Sequence, residues 1–252
     1  MKSARLRTII FFCLMLPGAA RMVSPVDARE IARKMDELYR SNSSYSEMSM
    51  EVVTPDWSRT LEMQVWTSGT DKTLVRILEP KKERGVGTLR IGNEMWNYFP
   101  RVNKTIKIPP SMMMSSWMGS DFTNDDLVKE YTLVKDFDFR LVRPGGARED
   151  LLYLEARPKP GVPVVWSRVL LAVRAADLIP VWEEYFDDRD TRMRRMEFSD
   201  IRKFGDRQVP AAMSLVPANK PGNRTVLRYK ILRFDEPVDD SIMTLRNLRT
   251  FK

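Results

Sequence analysis

Alternation of apolar and polar residues dominates the chain and predicts β-strands. Leu61, Met63 and Val65 alternate with polar neighbours. Farther along the chain, Ile106 and Ile108 repeat the pattern. A period of two places successive side chains on opposite faces of a strand, so each run has one dry face and one wet face. Turn-forming residues separate most runs, which predicts a mainly β protein: an antiparallel sheet, a sandwich or a barrel. The runs are residues 48–54, 61–65, 73–79, 88–92, 94–99, 105–108, 131–142, 151–156, 164–173, 181–186, 193–198, 208–216 and 227–231.

One segment near the N-terminus has a helical period instead. The apolar residues between Ile31 and Tyr39 occupy positions i, i+4, i+7 and i+8, which form a single stripe on a helix. Ser24 is a suitable N-cap residue, and Pro25 after it suits the first helical turn. The pattern predicts a helix over about residues 25–40.

The first twenty residues have the order of a secretory signal peptide. Three basic residues precede the apolar run Ile9–Leu16, and small residues lead to Ala20. The apolar run is too short to span a bilayer. We expect cleavage after Ala20, with a second candidate site after Ala28. Residues 1–20 would then be removed, and residues 21–252, which show no linker-like change of composition, would form one domain in the periplasm.

The absence of histidine and the single cysteine remove whole classes of chemistry. No Ser-His-Asp or Cys-His nucleophile can be assembled, and the usual zinc sites lack their ligands. One cysteine, Cys13, cannot form a disulfide within the chain, and it would leave with the signal peptide. We therefore expect no enzymatic activity, no catalytic residues, no metal site and no cofactor.

The charge balance is basic, with 42 Lys and Arg against 34 Asp and Glu and a net charge of +8. Such an excess is common in nucleic-acid-binding proteins, but the chain has no recognition motif and carries an export signal. We expect no nucleic-acid partner. Basic clusters such as residues 189–195 are typical of solvated faces or of contacts with anionic lipid headgroups. The adjacent Glu183 and Glu184 should point to opposite faces of one strand.

One segment, the methionine-rich loop (residues 109–129), breaks the alternation. It concentrates methionine and aromatic residues between Met112 and Phe122, and the sequence Thr123–Asp126 then caps a short helix that runs to Lys129. Methionine is flexible and suits surfaces that accept varied apolar shapes. Three interpretations stay open: a loop that plugs the core, a lid over an apolar cavity, or a thioether site for Cu(I).

The same part of the chain resembles a known family. The segments that carry the resemblance are Asn93–Pro100, Lys104–Ile108, Ser111–Met114, Trp117–Phe122 and Asp125–Leu127. They are similar to the LolA-like proteins of the periplasmic outer-membrane lipoprotein-sorting family, in the longer variant often associated with exporters of lipidic cargo. The resemblance implies a LolA/LolB-like fold: a strongly curved antiparallel sheet, or incompletely closed β-barrel, with covering α-helices. Its apolar concave face would hold acyl chains.

The candidate ligand-binding residues follow from this picture. Hiding an acyl chain from water is worth about 0.8 kcal/mol per methylene, so a carrier needs a wide apolar wall and a movable cover. Trp96 and Tyr98 share one face of their strand, while Met95 and Phe99 share the other, so the choice of face stays open. The candidates are Leu61, Met63, Val65, Trp96, Tyr98, Ile106 and Ile108 for the wall, and Met112, Met113, Met114, Trp117 and Met118 for the lid.

These features favour a non-enzymatic periplasmic carrier. It would bind the acyl chains of lipoproteins or lipids and move them toward the outer membrane. An inner-membrane exporter would be the donor and an outer-membrane acceptor the recipient, with only peripheral or transient membrane contact. The alternative is a periplasmic sensor or adaptor domain that binds a protein partner without transporting lipid.

Overall fold

The alternating runs of the sequence overlap the strands of the folded chain. A computed structural model describes residues 27–39, 41–129, 133–162 and 164–250. Within these ranges every predicted run overlaps one strand. The strands are β1 (Ser43–Val53), β2 (Ser58–Ser68), β3 (Lys72–Glu79), β4 (Gly87–Ile91), β5 (Glu94–Phe99), β6 (Lys104–Lys107), β7 (Phe137–Val142), β8 (Leu151–Pro158), β9 (Arg168–Arg174), β10 (Pro180–Phe186), β11 (Arg192–Phe204), β12 (Arg207–Pro217) and β13 (Arg224–Phe234).

All of these strands belong to one antiparallel sheet. Its order is β6-β5-β4-β3-β2-β1-β13-β12-β11-β10-β9-β8-β7, so two meanders meet where the first strand pairs with the last. At this junction Met50 of β1 lies opposite Leu227 of β13. Strands β6 and β7 form the two edges of the sheet. The predicted mainly β fold, a strongly curved antiparallel sheet that does not close into a barrel, is confirmed.

Strand β1 shows how the alternating sequence produces two different faces. Its buried residues are Ser44, Ser46, Met48, Met50 and Val52, and the residues between them are only half-buried. The buried set belongs to the concave face of the sheet, which gathers the largest apolar cluster from β1, β2 and β3. The opposite set faces the convex side, as the period of two requires.

Four α-helices accompany the sheet in the described part of the chain: α1 (Ala28–Tyr39), α2 (Asn124–Lys129), α3 (Leu133–Asp136) and α4 (Leu245–Leu248). Helix α1 buries Ile31 and Met35 against Phe137 and Leu154 at the end of the sheet that contains β7 and β8. The predicted cap at Ser24 and the predicted signal peptide over residues 1–20 lie outside the described residues. Among the described helices, none combines the length and the apolar character needed to cross a membrane.

The convex face has its own cover. Residues 238–248, which include α4, pack onto Leu74 of β3 and Leu89 of β4. Leu248 comes so close to β4 that a Cβ added to Gly87 would lie 2.7 Å from its Cδ1 atom. The convex face is therefore tightly packed where this cover lies over β3 and β4.

Candidate functional site

A cavity of about 320 Å³ lies against the concave face of the sheet. Helix α1 contributes to its wall with Met35, and the methionine-rich loop contributes Trp117 and Phe122. Strands from both halves of the sheet supply the rest, mainly through apolar side chains. Pockets that hold small apolar ligands usually measure about 300–1,000 Å³. The strand residues of the wall include Met48, Met50, Met63, Val65, Val75, Val169, Met196, Met213, Leu215, Leu227 and Leu232.

The three candidates on β2 lie on the concave face. Met63 and Val65 line the cavity itself. Leu61, one step along the same face, is fully buried and packs in the cluster that contains Trp117. The alternation in this strand therefore placed all three side chains on the side of the sheet where the cavity lies.

The candidates on β5 lie on the opposite side of the sheet. Trp96 and Tyr98 share one face, but they pack on the convex side in the cluster of Leu248. Their neighbours Met95 and Phe99 face inward and contact the concave cluster. Both faces of β5 carry large apolar residues, so the sequence of this strand does not show which face points to the concave side. The orientation is determined by the elements that pack on the two faces of the sheet.

The last two wall candidates lie at the edge of the sheet. Ile106 on edge strand β6 is 47% exposed. Ile108, just after this strand, is half-buried and packs against the concave cluster. Neither residue lines the cavity.

The candidates in the methionine-rich loop occupy different environments. Trp117 is 3% exposed and lines the cavity. Met113 and Met118 are half-buried against the concave cluster, whereas Met112 and Met114 are exposed on the surface. The loop thus presents apolar side chains both to the interior and to the solvent.

Hydrogen bonds attach this loop to both halves of the sheet. On one side, the Trp117 Nε1–H donates to Thr88 Oγ1 at 3.1 Å. Farther along the loop, the Asp121 backbone N–H donates to Thr225 Oγ1 on β13 at 3.0 Å, and the Thr225 hydroxyl donates to Asp121 Oδ2 at 2.8 Å. The predicted cap of α2 is present, since the Thr123 N–H donates to Asp126 Oδ2 at 2.8 Å. The loop therefore spans the concave face from β4 to β13.

A polar cluster (Asp126, Glu183, Tyr185 and Arg194) interrupts the apolar wall. Arg194 Nη1 and Nη2 donate to Asp126 Oδ2 at 2.7 Å and Oδ1 at 2.6 Å, a bidentate pair that joins α2 to β11. The guanidinium also lies over the Tyr185 ring, 4.3 Å from its centroid, and over the Trp166 ring at 4.5 Å. The hydroxyl of Tyr185 donates to Glu183 Oε2.

Burial shifts the proton equilibria of this cluster. Desolvation raises the pKa of Glu183, although the Tyr185 hydroxyl and the nearby Arg194 act in the opposite direction. Desolvation likewise raises the pKa of Tyr185, which keeps its hydroxyl protonated as a donor. For Arg194, burial is the largest single influence and lowers the pKa, but the hydrogen bond to Asp126 and the charges of the surrounding acidic groups together raise the pKa overall.

The polar cluster was missed as a site in the sequence, although its signal is visible there. Glu183 and Glu184 do point to opposite faces, as expected from the strand period. Glu183 lines the cavity, whereas Glu184 pairs with Arg192 and Arg195 outside it. A second signal is the position of the charges within their strands. Glu183 on β10 and Arg194 on the adjacent β11 both face the cavity, on a face where the neighbouring positions are otherwise apolar.

The ligand chemistry that this wall supports is apolar, with one polar corner. Within the described ranges, no group of three His, Cys, Asp or Glu side chains could hold a metal ion. Six of the lining side chains are methionines, which adapt their shape to different apolar ligands. The arrangement can shelter hydrocarbon and can meet one polar group at the cluster.

Comparisons with known proteins agree with this architecture. A family model described as a family of uncharacterized proteins matches residues 69–250, well over half of the chain. No curated protein matches the chain. Three solved structures that are 19–24% identical cover 88% of the chain each and are themselves covered over 97–100% of their length.

The three structures come from different bacteria. A DUF1329 family protein from Desulfovibrio piger superposes with a TM-score of 0.79 at 24% identity. A structure described as an outer membrane lipoprotein-sorting protein domain from Vibrio parahaemolyticus has a TM-score of 0.76 at 19% identity. A LolA superfamily protein from Nitrosomonas europaea has a TM-score of 0.74 at 23% identity. This chain therefore belongs to the family of uncharacterized proteins whose model it matches over residues 69–250, and it shares the curved, open sheet of these three structures.

Proposed function

We propose that this protein is a non-enzymatic periplasmic carrier that shelters the acyl chains of lipoproteins or lipids and moves them toward the outer membrane. The observation that carries the proposal is the apolar cavity of about 320 Å³ between the concave face, α1 and the methionine-rich loop. Transfer of an acyl chain of about sixteen carbons from an apolar environment to water has an unfavourable free energy of roughly 12 kcal/mol. A preformed cavity offsets that cost during transfer.

The composition of the wall suits a carrier of varied hydrocarbon. Its methionines come from α1 and from strands in both halves of the sheet, so flexible side chains surround the cavity. A wall of Leu and Ile alone would favour one ligand shape, whereas thioether side chains repack around several. The LolA-like fold supports the same assignment, because one neighbour is described as a lipoprotein-sorting domain.

The methionine-rich loop is the movable cover in this proposal. Its two termini approach different strands, and its attachment to the sheet combines a few hydrogen bonds with one buried ion pair. Ligand entry would require the loop or α1 to shift away from the cavity. Such a motion exchanges contacts of Trp117 and Phe122 for contacts of the ligand, so that loading and release need no external energy source.

The outer surface of this region suits brief contact with a membrane. Residues 101–114 contain three basic and no acidic residues, and Val102, Ile106, Met112 and Met114 are exposed there. Exposed apolar side chains beside cations favour the interface of an anionic bilayer. We propose that this surface approaches the donor exporter or the acceptor membrane while cargo passes.

Lipid binding by the mature protein tests the proposal. Native mass spectrometry of the protein purified from cells should show bound lipid, and a fluorescent fatty acid should bind and be displaced by unlabelled acyl chains. The substitution Leu227→Trp fills the cavity from β13 and should reduce binding at least tenfold, because the larger ring occupies the space of the ligand. Arg228→Trp is the matched control, since residue 228 is exposed on the opposite face.

Two outcomes would contradict the carrier. The first is a protein that neither retains lipid nor binds the fluorescent fatty acid. The second is equal binding by both tryptophan variants, which would place the ligand outside the cavity. A stable protein partner in pull-downs, together with the first outcome, would favour the sensor or adaptor function instead.

A further inference from the structure

The polar cluster contains two carboxylates and one guanidinium, so its formal charges do not balance. Arg194 directs both of its Nη groups to Asp126 and is covered by two aromatic rings. Glu183 takes part in no ion pair with the described residues, and its Oε2 atom accepts a hydrogen bond from the hydroxyl of Tyr185. The side chain of Glu183 nevertheless lies in the wall of the cavity and is only 8% exposed.

A buried carboxylate without a cation is energetically unfavourable. Such a group either takes up a proton or finds a positive partner. The direction of its pKa shift agrees, since burial raises the pKa of Glu183 despite the proximity of Arg194. Because Tyr185 occupies Oε2, the Oε1 atom is the acceptor left for another group. Among the described residues that line the cavity, Arg194 is the single basic one, and it is already paired with Asp126.

We infer that the cavity takes a cationic amphiphile, with its hydrocarbon chain along the apolar wall and a primary ammonium group at Glu183. This inference rests on the proposed function, because it names the head group of the same ligand. An ammonium group has three N–H donors and a full positive charge. It would donate a hydrogen bond to Glu183 and neutralise the excess negative charge of the polar cluster. A carboxylate or phosphate head at this position would face the carboxylate of Glu183, while the guanidinium of Arg194 is already paired with Asp126.

Three single-chain ligands that differ only in the head group test the inference. Dodecylammonium, dodecanol and dodecanoate, each as monomers at neutral pH, are titrated into the mature protein and followed by calorimetry. We expect dodecylammonium to bind at least about tenfold more tightly than dodecanoate, with dodecanol between them, because a hydrogen bond to a charged group is worth more than one to a neutral group.

The variant Glu183→Gln locates the effect. It keeps the size of the side chain but removes its charge, and should abolish the preference for ammonium while leaving dodecanol binding within about twofold. Glu184→Gln is the control, since Glu184 has similar burial but faces away from the cavity. If Glu183→Gln does not fold, the order of the three ligands on the wild-type protein still decides the inference.

The outcomes separate this inference from the carrier proposal. If dodecanol and dodecanoate bind but dodecylammonium has no advantage, the ammonium site is wrong and the acyl carrier stands. If none of the three ligands binds, the proposed function itself fails. An ammonium preference that survives Glu183→Gln would also overturn the inference, because the selectivity would then arise elsewhere.

Discussion

Both faces of the sheet carry apolar clusters, but these clusters are covered in different ways. On the convex face, α4 packs so tightly that Gly87 has no room for a Cβ beside Leu248. On the concave face, α1 and the methionine-rich loop leave an opening of about 320 Å³. The covers also differ in their polar attachments: the concave cover is held by the buried ion pair of Arg194 and Asp126, whereas in the convex cover the buried Arg76 donates a hydrogen bond to the backbone carbonyl of Asn247 at 2.8 Å. An apolar face thus becomes a core or a binding wall according to what lies over it.

The largest effect is expected where the concave cover meets the sheet. Asp126→Asn removes the charge that Arg194 binds and leaves a guanidinium that is 8% exposed without its partner. We expect the free energy of unfolding to fall by about 3–5 kcal/mol, as measured by urea denaturation. Asp240→Asn is the control, because its ion pair with Lys72 is exposed and should contribute less than about 1 kcal/mol. Equal losses would mean that the buried pair does not hold the cover.

A smaller effect should separate the packed face from the open one. Leu248→Ala deletes a fully buried side chain of the convex cover and should cost about 3 kcal/mol, mostly through the cavity left behind. Met213→Ala deletes a half-buried side chain that already borders an opening, and should cost roughly half as much. Denaturant midpoints of the two variants give the comparison. A larger loss for Met213→Ala would contradict the contrast between the two covers.

The smallest effect is a change in how stability depends on pH. The pKa of Glu183 is higher in the folded state than in the unfolded state because of burial. The folded state therefore binds this proton more tightly than the unfolded state does. The resulting stabilisation is complete at a pH below the pKa of Glu183 in the unfolded state, and it is lost as the pH rises through the pKa of Glu183 in the folded state. Glu183→Gln has no such proton. We expect the stability of the wild type, relative to this variant, to decline as pH rises above the usual glutamate range, in denaturation curves taken at a series of pH values. A difference that stays constant with pH would contradict the shift.

The strands were predictable because their signal is local. Each alternating run overlaps a strand, and the stripe between Ile31 and Tyr39 became α1. The cap of α2 could also be predicted, since Asp126 stands three positions after Thr123, as a capping box requires. These features depend on the order of neighbouring residues along the chain, and nothing distant is needed to produce them.

The candidate site was predictable only in part. Met63, Val65 and Trp117 line the cavity, and Leu61 lies beside it. Trp96 and Tyr98 lie on the other face, because β5 is apolar on both sides and its orientation depends on α4, more than a hundred residues later. Arg194 belongs to a sequence cluster that is mostly exposed, yet it is buried by contact with α2.

The sequence by itself determined the mainly β class, the approximate positions of the strands and the helical stripe near the N-terminus. Periodicity and capping depend on residues that are close together in the chain. Only the tertiary structure decided which face would be concave, how the first strand pairs with the last, and where an opening stays unfilled. These features arise from contacts between residues far apart in the chain, such as Arg194 with Asp126 and Leu248 with Gly87. A cavity is the space that such contacts leave between elements, so no local pattern of residues specifies it.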